Sequence, residues 1–343
     1  MKLSISALAF TAALALVGTP YVAAAQSPTS TGVVVEHDEG GSRWGAMVIA
    51  DTMLGFGSFV TSDYSDDPYV AEVLSLRPSY RIEEIPGGAS LILRQDLSYE
   101  FTDPGNVEGR SFDWADTWLW LIAPNLWQEE ATGIRFGGEA RATLPISSAS
   151  QWIGKITGTT LGLRLTRPAG DFIPQLRFLA TKHFYTDRAP AHGDEDFEDA
   201  ETPSTACPSG EDYCRGGAYF TNWSIAAYGS LTYLISEKWS TTLVGQLSTG
   251  WRFEAPDDAF TSQAVDTTGE RVVQTGAQRS ADIVTTAIDV SYQHNARLAF
   301  SGGITTTQPL LSADNQSVRF LLADVDTPAN NYSGFYFDVI ATF

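Results

Sequence analysis

The sequence has few basic residues, few cysteines and no long apolar run beyond its first residues. Lysine and arginine together number 21 against 41 aspartates and glutamates, which gives a formal net charge of −20. Phosphates would be repelled over most of such an exterior, so a nucleic-acid partner is excluded. After Gln26, no stretch approaches the roughly 18 consecutive apolar residues of a transmembrane helix, because Pro124 and Asn125 interrupt the longest candidate. The body of the chain is therefore not expected to cross a membrane as helices.

Residues 1–25 have the three-part layout of a secretory signal peptide. Lys2 supplies the positive charge, an apolar stretch follows as far as Leu16, and small residues end the segment at Ala25. We predict cleavage after Ala25, the alternative being a membrane anchor that stays on the protein. Residues 26–43 then form a short, polar periplasmic segment that is too small to be a plug domain.

Both cysteines, Cys207 and Cys214, fall in the long polar connection 185–218. In an exported chain they predict a disulfide, which would close a small ring and stabilise by roughly 2.5 kcal/mol. The same connection is strongly acidic, and clustered carboxylates could hold Ca²⁺ or bridge to lipopolysaccharide through divalent ions. Because EF-hand spacing is absent and His192 has no second histidine at ligand spacing, a solvated loop is favoured, and neither a metal nor a cofactor is predicted.

Apolar residues alternate with polar ones from end to end, and hardly any window has helical spacing. Aromatic residues make up 12% of the chain, with nine tryptophans, which is heavy for an acidic soluble domain but suits the interfacial girdles of a membrane barrel. The pattern predicts twelve strands, most of them long enough to cross the hydrocarbon core. Their predicted ranges are 44–60, 70–82, 90–102, 114–127, 133–145, 157–167, 172–184, 219–235, 239–253, 282–294, 296–308 and 333–343.

One segment shows the two faces of such a strand clearly. Between positions 90 and 102, Leu91, Leu93 and Leu97 share one parity, while Arg94 and Asp96 share the other. One face therefore suits lipid and the other suits water. In a soluble sandwich the apolar face would point into a core, and a period of two alone does not separate the two cases. Export, strand length and the pattern of the connections favour the membrane barrel.

The connections alternate between short and long. Short turns lie near 83–89, 128–132, 168–171, 236–238 and 295, and long polar connections lie at 61–69, 103–113, 146–156, 185–218, 254–281 and 309–332. Short periplasmic turns and long outer loops are typical of outer-membrane barrels. With twelve strands, both termini fall on the short-turn side.

The last segment, 333–343, has a specific pattern. Its apolar residues share one parity and are Phe335, Phe337, Val339, Ala341 and the terminal Phe343. This resembles the C-terminal assembly signal of bacterial outer-membrane proteins, in which the closing strand ends in an aromatic residue. The resemblance covers 44–343 and is to the porin-like superfamily of Gram-negative outer-membrane β-barrels, rather than to a narrower family.

That resemblance implies an all-β fold, a transmembrane antiparallel up-and-down β-barrel of about twelve strands over 44–343, located in the Gram-negative outer membrane. It also implies contact with outer-membrane lipid and lipopolysaccharide, and recognition of the strand ending at Phe343 by the barrel-assembly machinery. Such barrels include porins, substrate-specific channels, lipases, proteases and adhesins. The fold therefore does not determine the function.

The polar parity of the strands is rich in arginine and almost free of lysine. Its arginines are Arg77, Arg81, Arg94, Arg135, Arg141, Arg164, Arg177 and Arg252. Acidic residues on this face are fewer, and they are Asp96, Glu100, Glu139, Glu254, Asp289 and Asp338. A positive lumen with low-dielectric walls would focus its field on an entering anion. Alternatively, arginines and acids satisfy each other and hold the wall of a narrow barrel rigid.

Pairing the strands through their turns brings three of these arginines together. With Pro145 opposite Gly158, Glu139 falls near Arg164, although a slip of one residue would exchange the two faces. The arginines of the resulting strip near mid-barrel are Arg141, Arg164 and Arg177. Planar guanidinium groups suit paired binding of carboxylate, phosphate or sulfate oxygens. The residues predicted to line the lumen and bind solute are Arg77, Arg94, Asp96, Glu139, Arg141, Arg164 and Arg177.

The segment 114–127 has no clearly polar side. Trp118 and Trp120 share a parity with Asp116 and Ile122, and leucines occupy the other parity. Tryptophan in the lumen could stack on sugar rings, but a place in an interfacial girdle is favoured.

These features predict an outer-membrane channel for small hydrophilic solutes, whose arginine-lined lumen favours anions or acidic sugars. The first alternative is a closed barrel that acts through its surface loops, by adhesion or by binding lipopolysaccharide or a partner. The weaker alternative is a barrel hydrolase, with His183 as the candidate residue. Because none of the four histidines has a serine at the close His-x-Ser spacing, no enzymatic activity is predicted.

Overall fold

The computed structural model describes residues 42–55, 69–102, 112–186, 191–193, 213–215, 220–253, 282–310 and 333–343. The strands in these ranges are β1 (Trp44–Gly55), β2 (Val70–Ile82), β3 (Ala89–Glu100), β4 (Phe112–Trp114), β5 (Thr117–Gln128), β6 (Arg135–Leu144), β7 (Lys155–Thr166), β8 (Phe172–Tyr185), β9 (Ala191–Gly193), β10 (Tyr213–Arg215), β11 (Thr221–Leu234), β12 (Trp239–Arg252), β13 (Ile283–Asn295), β14 (Leu298–Pro309) and β15 (Ser333–Thr342). A short helix, α1 (Ser148–Trp152), lies between β6 and β7. In the described ranges, no helix has the length and apolar character needed to cross a membrane.

Twelve of these strands close into one antiparallel barrel. Hydrogen bonds link each barrel strand to the next along the chain, and β1 pairs with β15 to close the ring, with Asp51 opposite Asp338. β4 continues the line of β5 along β3, while β9 and β10 form a separate two-stranded sheet. The predicted fold, an antiparallel up-and-down barrel of about twelve strands, is confirmed.

The outward-facing side chains of the barrel are apolar and exposed. Leu161 on β7 is 70% exposed, and Phe178, Ile225 and Leu243 on the next three strands are exposed as well. Exposure of a continuous apolar surface of this kind to water is unfavourable, whereas its contact with the hydrocarbon of a membrane is not. Successive side chains of a strand point to opposite faces, so the polar parity enters the lumen. The sheet is therefore a transmembrane barrel and not a soluble sandwich.

Aromatic rings form a band at each rim of the barrel. At the short-turn rim they pair across neighbouring strands, with ring centroids 4.7–4.9 Å apart, as Trp44–Tyr80, Trp127–Phe136, Phe172–Tyr233 and Trp239–Tyr292. At the long-loop rim, Phe112 and Trp114 lie edge to face at 5.8 Å. Aromatic side chains at both rims are the girdles expected where a barrel crosses the two membrane–water interfaces.

The turn 83–88 packs against an irregular stretch of β5. Gly87 has a φ of 71°, a left-handed conformation that glycine adopts without strain. A Cβ on Gly87 would lie 1.7 Å from the carbonyl oxygen of Asn125, so no other residue fits this contact. Pro124, which has no N–H to donate, sits where the pairing of β5 with β6 is interrupted. The irregularity lets a spanning strand contain a proline.

The observed elements depart from the predicted ones in three places. The predicted connection 185–218 contains β9 and β10, whose three residues each are too few to show an alternation. The predicted loop 146–156 contains α1, whose five residues are too few to give a recognisable helical period. The predicted strand 114–127 is broken at 115–116, where β4 ends and β5 begins. The predicted signal peptide and nearly all of the segment 26–43 lie outside the described residues.

A charge on the outward face should destabilise the barrel more than the same charge on the inward face. Leu247 and Gln246 are neighbours near the middle of β12, with Leu247 facing outward and Gln246 inward. We expect Leu247→Arg to lower the free energy of unfolding by about 2–4 kcal/mol in a bilayer, because its guanidinium would enter hydrocarbon. Gln246→Arg should cost clearly less. Urea titration of the two refolded variants in lipid bilayers measures both costs, and equal costs would contradict the assignment of the faces.

Candidate functional site

The lumen has a filled half and an open half. In the filled half, formed by β14, β15, β1, β2, β3 and β5, most inward side chains are buried, and the apolar ones pack into small clusters that include Met47, Ile49, Ile92, Tyr336 and Ile340. In the open half, formed by β7, β8, β11 and β12, most inward side chains are partly exposed, among them Thr160, Thr181, Ser224, Ala226 and Ser248. The solvent-accessible part of the lumen therefore follows the β7–β12 wall.

The filled half contains a buried network of two arginines and three aspartates. Nε of Arg94 donates to Asp96, with 2.9 Å between Nε and Oδ2. Asp51 and Asp338 face each other across the closing pair of strands, and both attract the charge of Arg77. Since three carboxylates accompany two guanidinium groups, this network has no excess of positive charge.

Glu139 on β6 is the centre of a second charged cluster. Its fully buried carboxylate accepts hydrogen bonds from Nε1 of Trp120 at 3.0 Å and from Nε and Nη2 of Arg177 at 3.0 and 3.1 Å. Arg141 adds a longer ion pair of 3.4 Å. Arg164 attracts the same carboxylate electrostatically. One carboxylate thus holds side chains from β5, β6 and β8 in place.

Gly162 makes this cluster possible, because Glu139 on β6 must reach across β7 to Arg177 on β8. In the ladder Gly162 lies directly opposite Glu139. A Cβ at this position would come within 2.6 Å of Cγ of Glu139 and within 2.6 Å of Cδ2 of Leu179. The side chain of Glu139 occupies the space that a side chain at position 162 would fill.

The wall formed by β6, β7 and β8, whose last two strands belong to the open half, keeps an excess of positive charge. Among the described residues, Glu139 is the one carboxylate that forms ion pairs with Arg141 and Arg177. Arg164 lies directly opposite Arg177 in the ladder, an arrangement that like charges disfavour. Three guanidinium groups therefore face one carboxylate, which leaves this wall with a net positive charge.

Trp118 and Trp120 face the lumen, so the preference for an interfacial girdle is wrong. The guanidinium carbon of Arg141 lies 4.3 Å from the ring centre of Trp120 and 5.5 Å from that of Trp118. Arg94 approaches Trp118 from the other side at 5.2 Å. These cation–π contacts and the bond from Trp120 to Glu139 explain two tryptophans in a lumen. Their partners come from other strands, so the segment itself gives no sign of them.

The observed register of β6 and β7 differs from the predicted one by two residues. Gly158 lies opposite Thr143 instead of Pro145, which has no N–H for the ladder and follows the end of β6. Glu139 consequently faces a glycine and not Arg164. A shift of two keeps every side chain on its predicted face.

The seven predicted lumen residues all lie on inward parities but belong to two groups. Glu139, Arg141, Arg164 and Arg177 gather in one cluster on the β6–β8 wall. Arg77, Arg94 and Asp96 are buried in the filled half. The predictions from the sequence did not separate these two groups. They did not place Asp51, which helps to neutralise Arg77, in the lumen.

A separate polar cluster anchors α1 at the long-loop rim. Asp116 accepts hydrogen bonds from Oγ of Ser147 at 2.7 Å, from Oγ of Ser150 at 2.6 Å and from Nζ of Lys155 at 2.8 Å. Burial raises the pKa of Asp116, but the bonds from Lys155, Ser150 and Ser147 outweigh it and hold the pKa below its ordinary value. The anchor ties the connection between β6 and β7 to the start of β5.

The fold brings a serine to His183, although the sequence spacing does not. Nε2 of His183 lies 3.3 Å from Oγ of Ser224 on the adjacent strand, and both side chains face inward. Nδ1 of His183 has no hydrogen-bond partner among the described residues, where Lys155 and Lys182 are the charged groups that influence it most. A carboxylate that would orient the imidazole for nucleophilic catalysis is therefore missing from the described part of the chain.

The predicted disulfide and the acidic connection cannot be placed. Cys214 belongs to β10, but Cys207 and most of 185–218 lie outside the described residues, so the disulfide stays a prediction. In the described ranges, no group of three or more histidine, cysteine, aspartate or glutamate side chains could hold a metal ion.

Solved structures share the architecture of this barrel. A crystal structure of an outer-membrane channel from Pseudomonas putida F1 is similar with a TM-score of 0.52, at 10% sequence identity, over 91% of this chain and 100% of that chain. The chain has the fold of an outer-membrane β-barrel. The NanC porin is similar with a TM-score of 0.42, at 8% identity, over 86% of this chain and 98% of that chain. No protein-family model matches the sequence, and no curated protein is similar to it in sequence.

Adding a methyl group at Gly162 should disrupt the glutamate-centred cluster. We expect Gly162→Ala to lower the free energy of unfolding by about 1–3 kcal/mol, because the new Cβ overlaps Glu139 and Leu179. Gly245→Ala is the matched control, since a Cβ there meets no atom within 4 Å. Urea titration of the refolded barrels measures the difference. Equal stability of the two variants would contradict the contact between Glu139 and Gly162.

Protonating Asp116 should release α1. The folded pKa of Asp116 is below its ordinary value of 3.8, so the anchor stabilises the loop fully above that value and the stabilisation is lost as the pH falls through the folded pKa. Hydrogen exchange of residues 147–154, corrected for intrinsic rates, should accelerate on acidification below pH about 4. Asp116→Asn should exchange fast at every pH. Unchanged exchange in this variant would mean that the loop is held by other contacts.

Proposed function

We propose that this protein is a Gram-negative outer-membrane channel for small hydrophilic solutes, with a preference for anions, including acidic sugars. The observation that carries the proposal is the excess positive charge of the β6–β8 wall, where Arg141, Arg164 and Arg177 share Glu139. The low-dielectric wall of a barrel focuses such a charge on entering ions. Charged side chains that line a pore determine which sign of ion passes.

The inward residues of the open half support a passage. Ser224, Ala226 and Ser248 are small and partly exposed, so β11 and β12 leave room beside the strands that carry the arginines. Tyr228 and Val244 on the same strands are buried, which narrows the passage. The proposal is therefore limited to small solutes.

Arg77, Arg94 and Asp96 have a structural role in this proposal. Arg77 and Arg94 are each 1% exposed, and aspartates compensate their charges. They fit the alternative in which arginines and acids hold the wall rigid. The groups available to a solute are then Arg141, Arg164 and Arg177, with Glu139 limiting their attraction so that a bound anion can leave.

The outward face supports the proposed location and partners. Phe335 and Phe337 on β15 are exposed on the lipid side, and Phe343 is exposed just beyond the strand. This agrees with recognition of the last strand by the barrel-assembly machinery and with contact to outer-membrane lipid and lipopolysaccharide.

A barrel hydrolase is the second candidate, because the fold places Ser224 beside His183. A serine-directed fluorophosphonate that labels the wild-type barrel but not Ser224→Ala would favour it. We expect no labelling, because the described residues provide no carboxylate to orient His183.

Ion selectivity should depend on the two uncompensated charges. In planar bilayers under a KCl gradient, we expect the refolded wild type to pass an anion-selective current. Arg141→Gln/Arg164→Gln should lose that selectivity, because it removes both excess charges and leaves the ion pair of Glu139 with Arg177 intact. Lys238→Gln, which removes one positive charge from an exposed short turn, should leave the reversal potential unchanged.

Three results would contradict parts of this proposal. A silent bilayer from a correctly folded, heat-modifiable barrel would contradict the channel and favour a protein that acts through its surface loops. A cation-selective wild type would remove the preference for anions. A reversal potential that moves as far in Lys238→Gln as in the double variant would show that overall charge, and not the β6–β8 wall, sets the selectivity.

A further inference from the structure

A row of hydrogen-bonding side chains begins in the open half of the lumen and ends on β14, where the filled half starts. Its members all face inward, and each lies directly opposite the next on an adjacent strand. The row consists of Arg164, Arg177, Tyr228, Gln246, Thr285 and Thr307. It begins with two cations on β7 and β8 and continues with neutral polar groups as far as β14.

Within the row, Arg164 is a residue whose guanidinium forms no hydrogen bond with any described residue. Its side chain is only 7% exposed, and its buried Nε has no hydrogen-bond partner. No described residue accepts a hydrogen bond from its guanidinium, whereas the neighbouring Arg177 donates twice to Glu139. A buried donor without an acceptor is costly, so such a group in a folded protein points to a missing ligand or water.

The chemistry of the free group indicates what it would bind. A guanidinium presents a planar fork of donors that matches the two oxygens of a carboxylate. The adjacent charge of Arg177 strengthens the attraction for a negative group, because its own carboxylate is already shared with Arg141. The aromatic ring of Tyr228, 5.5 Å from the guanidinium carbon of Arg177, closes the site on the β11 side.

The rest of the row suits hydroxyl groups. Gln246 is partly exposed and bonds to no other described side chain, so its amide offers both a donor and an acceptor. Oγ1 of Thr285 and Oγ1 of Thr307 lie 3.0 Å apart and can exchange donor and acceptor roles. Arg164 and Gln246 are three strands apart, a backbone separation of about 14 Å that their inward side chains shorten. We infer that a solute of the size of one sugar ring, bound at Arg164, reaches Gln246.

We propose that Arg164 binds the carboxylate of the solute while Gln246 and Thr285 bind its hydroxyl groups. The preferred solutes are then hydroxylated monocarboxylates, such as sugar acids, rather than anions in general. The proposal rests on the proposed function, in which this wall faces the passage. A small inorganic anion would occupy Arg164 and leave the neutral part of the row unused.

Calorimetric binding to the refolded barrel in detergent tests the site directly. The probes are D-glucuronate and D-glucose, which differ only in the group at C6. We expect the wild type to bind glucuronate at least tenfold more tightly than glucose, and Arg164→Gln to lose at least tenfold of the affinity for glucuronate, as for a lost charge-assisted hydrogen bond. Thr285→Val should weaken glucuronate binding but leave the affinity for propionate, which has no hydroxyl group, unchanged.

Lys238→Gln is the control, because it removes one positive charge from an exposed short turn outside the row and outside the β6–β8 wall. Its affinity for glucuronate should fall less than threefold. Arg164→Lys keeps the charge without the fork and should give an intermediate affinity, and it replaces Arg164→Gln if that variant does not fold. Equal losses in Lys238→Gln and Arg164→Gln, or equal binding of glucuronate and glucose by the wild type, would overturn the proposal.

Binding and conduction can fail separately. A wild type that binds glucuronate through Arg164 but passes no current would overturn the channel and leave the site. An anion-selective current combined with unchanged glucuronate binding in Arg164→Gln would overturn the site and leave the channel.

Discussion

Every side chain of a closed β-sheet must suit one of two solvents, and the rest of this structure depends on that constraint. Leu161 and Phe178 on the outer face are exposed to a degree that hydrocarbon alone accommodates. The polar and charged side chains of the same strands consequently point into the lumen. A lumen enclosed by so few strands cannot hydrate them all, so their charges must be paired, stacked on rings or presented to a solute.

The constraint also explains why so much of the fold is readable from the sequence. Alternation, strand length and the order of short and long connections depend on local patterns, and they predicted the twelve-strand barrel and the inward parity of the arginines. The register of β6 on β7 was wrong by two residues because it depends on where Pro145 ends the ladder. The helix α1 was not predicted, because a helix of five residues is too short to show a helical period in the sequence.

The division of the lumen into two halves was not predictable in this way. Arg77 is neutralised by Asp51 and Asp338, which come from opposite ends of the chain and meet only when the ring closes. Trp120 and Arg177 likewise converge on Glu139 from strands on either side of it, over a glycine that nothing in the local pattern marks. The parity of a residue in its strand predicts whether its side chain points into the lumen. Parity does not predict which residues of other strands that side chain contacts, and the candidate site consists of such contacts.

The seam between β1 and β15 has a consequence for the order in which the barrel forms. Closing it brings two buried carboxylates, Asp51 and Asp338, directly opposite each other. Their repulsion is offset by Arg77 on β2, which pairs with β1 along the length of the strand. A ring that closed before the first hairpin had formed would face this repulsion without compensation. The charge balance of the seam therefore depends on the correct pairing of the first two strands as well as on the closing pair itself.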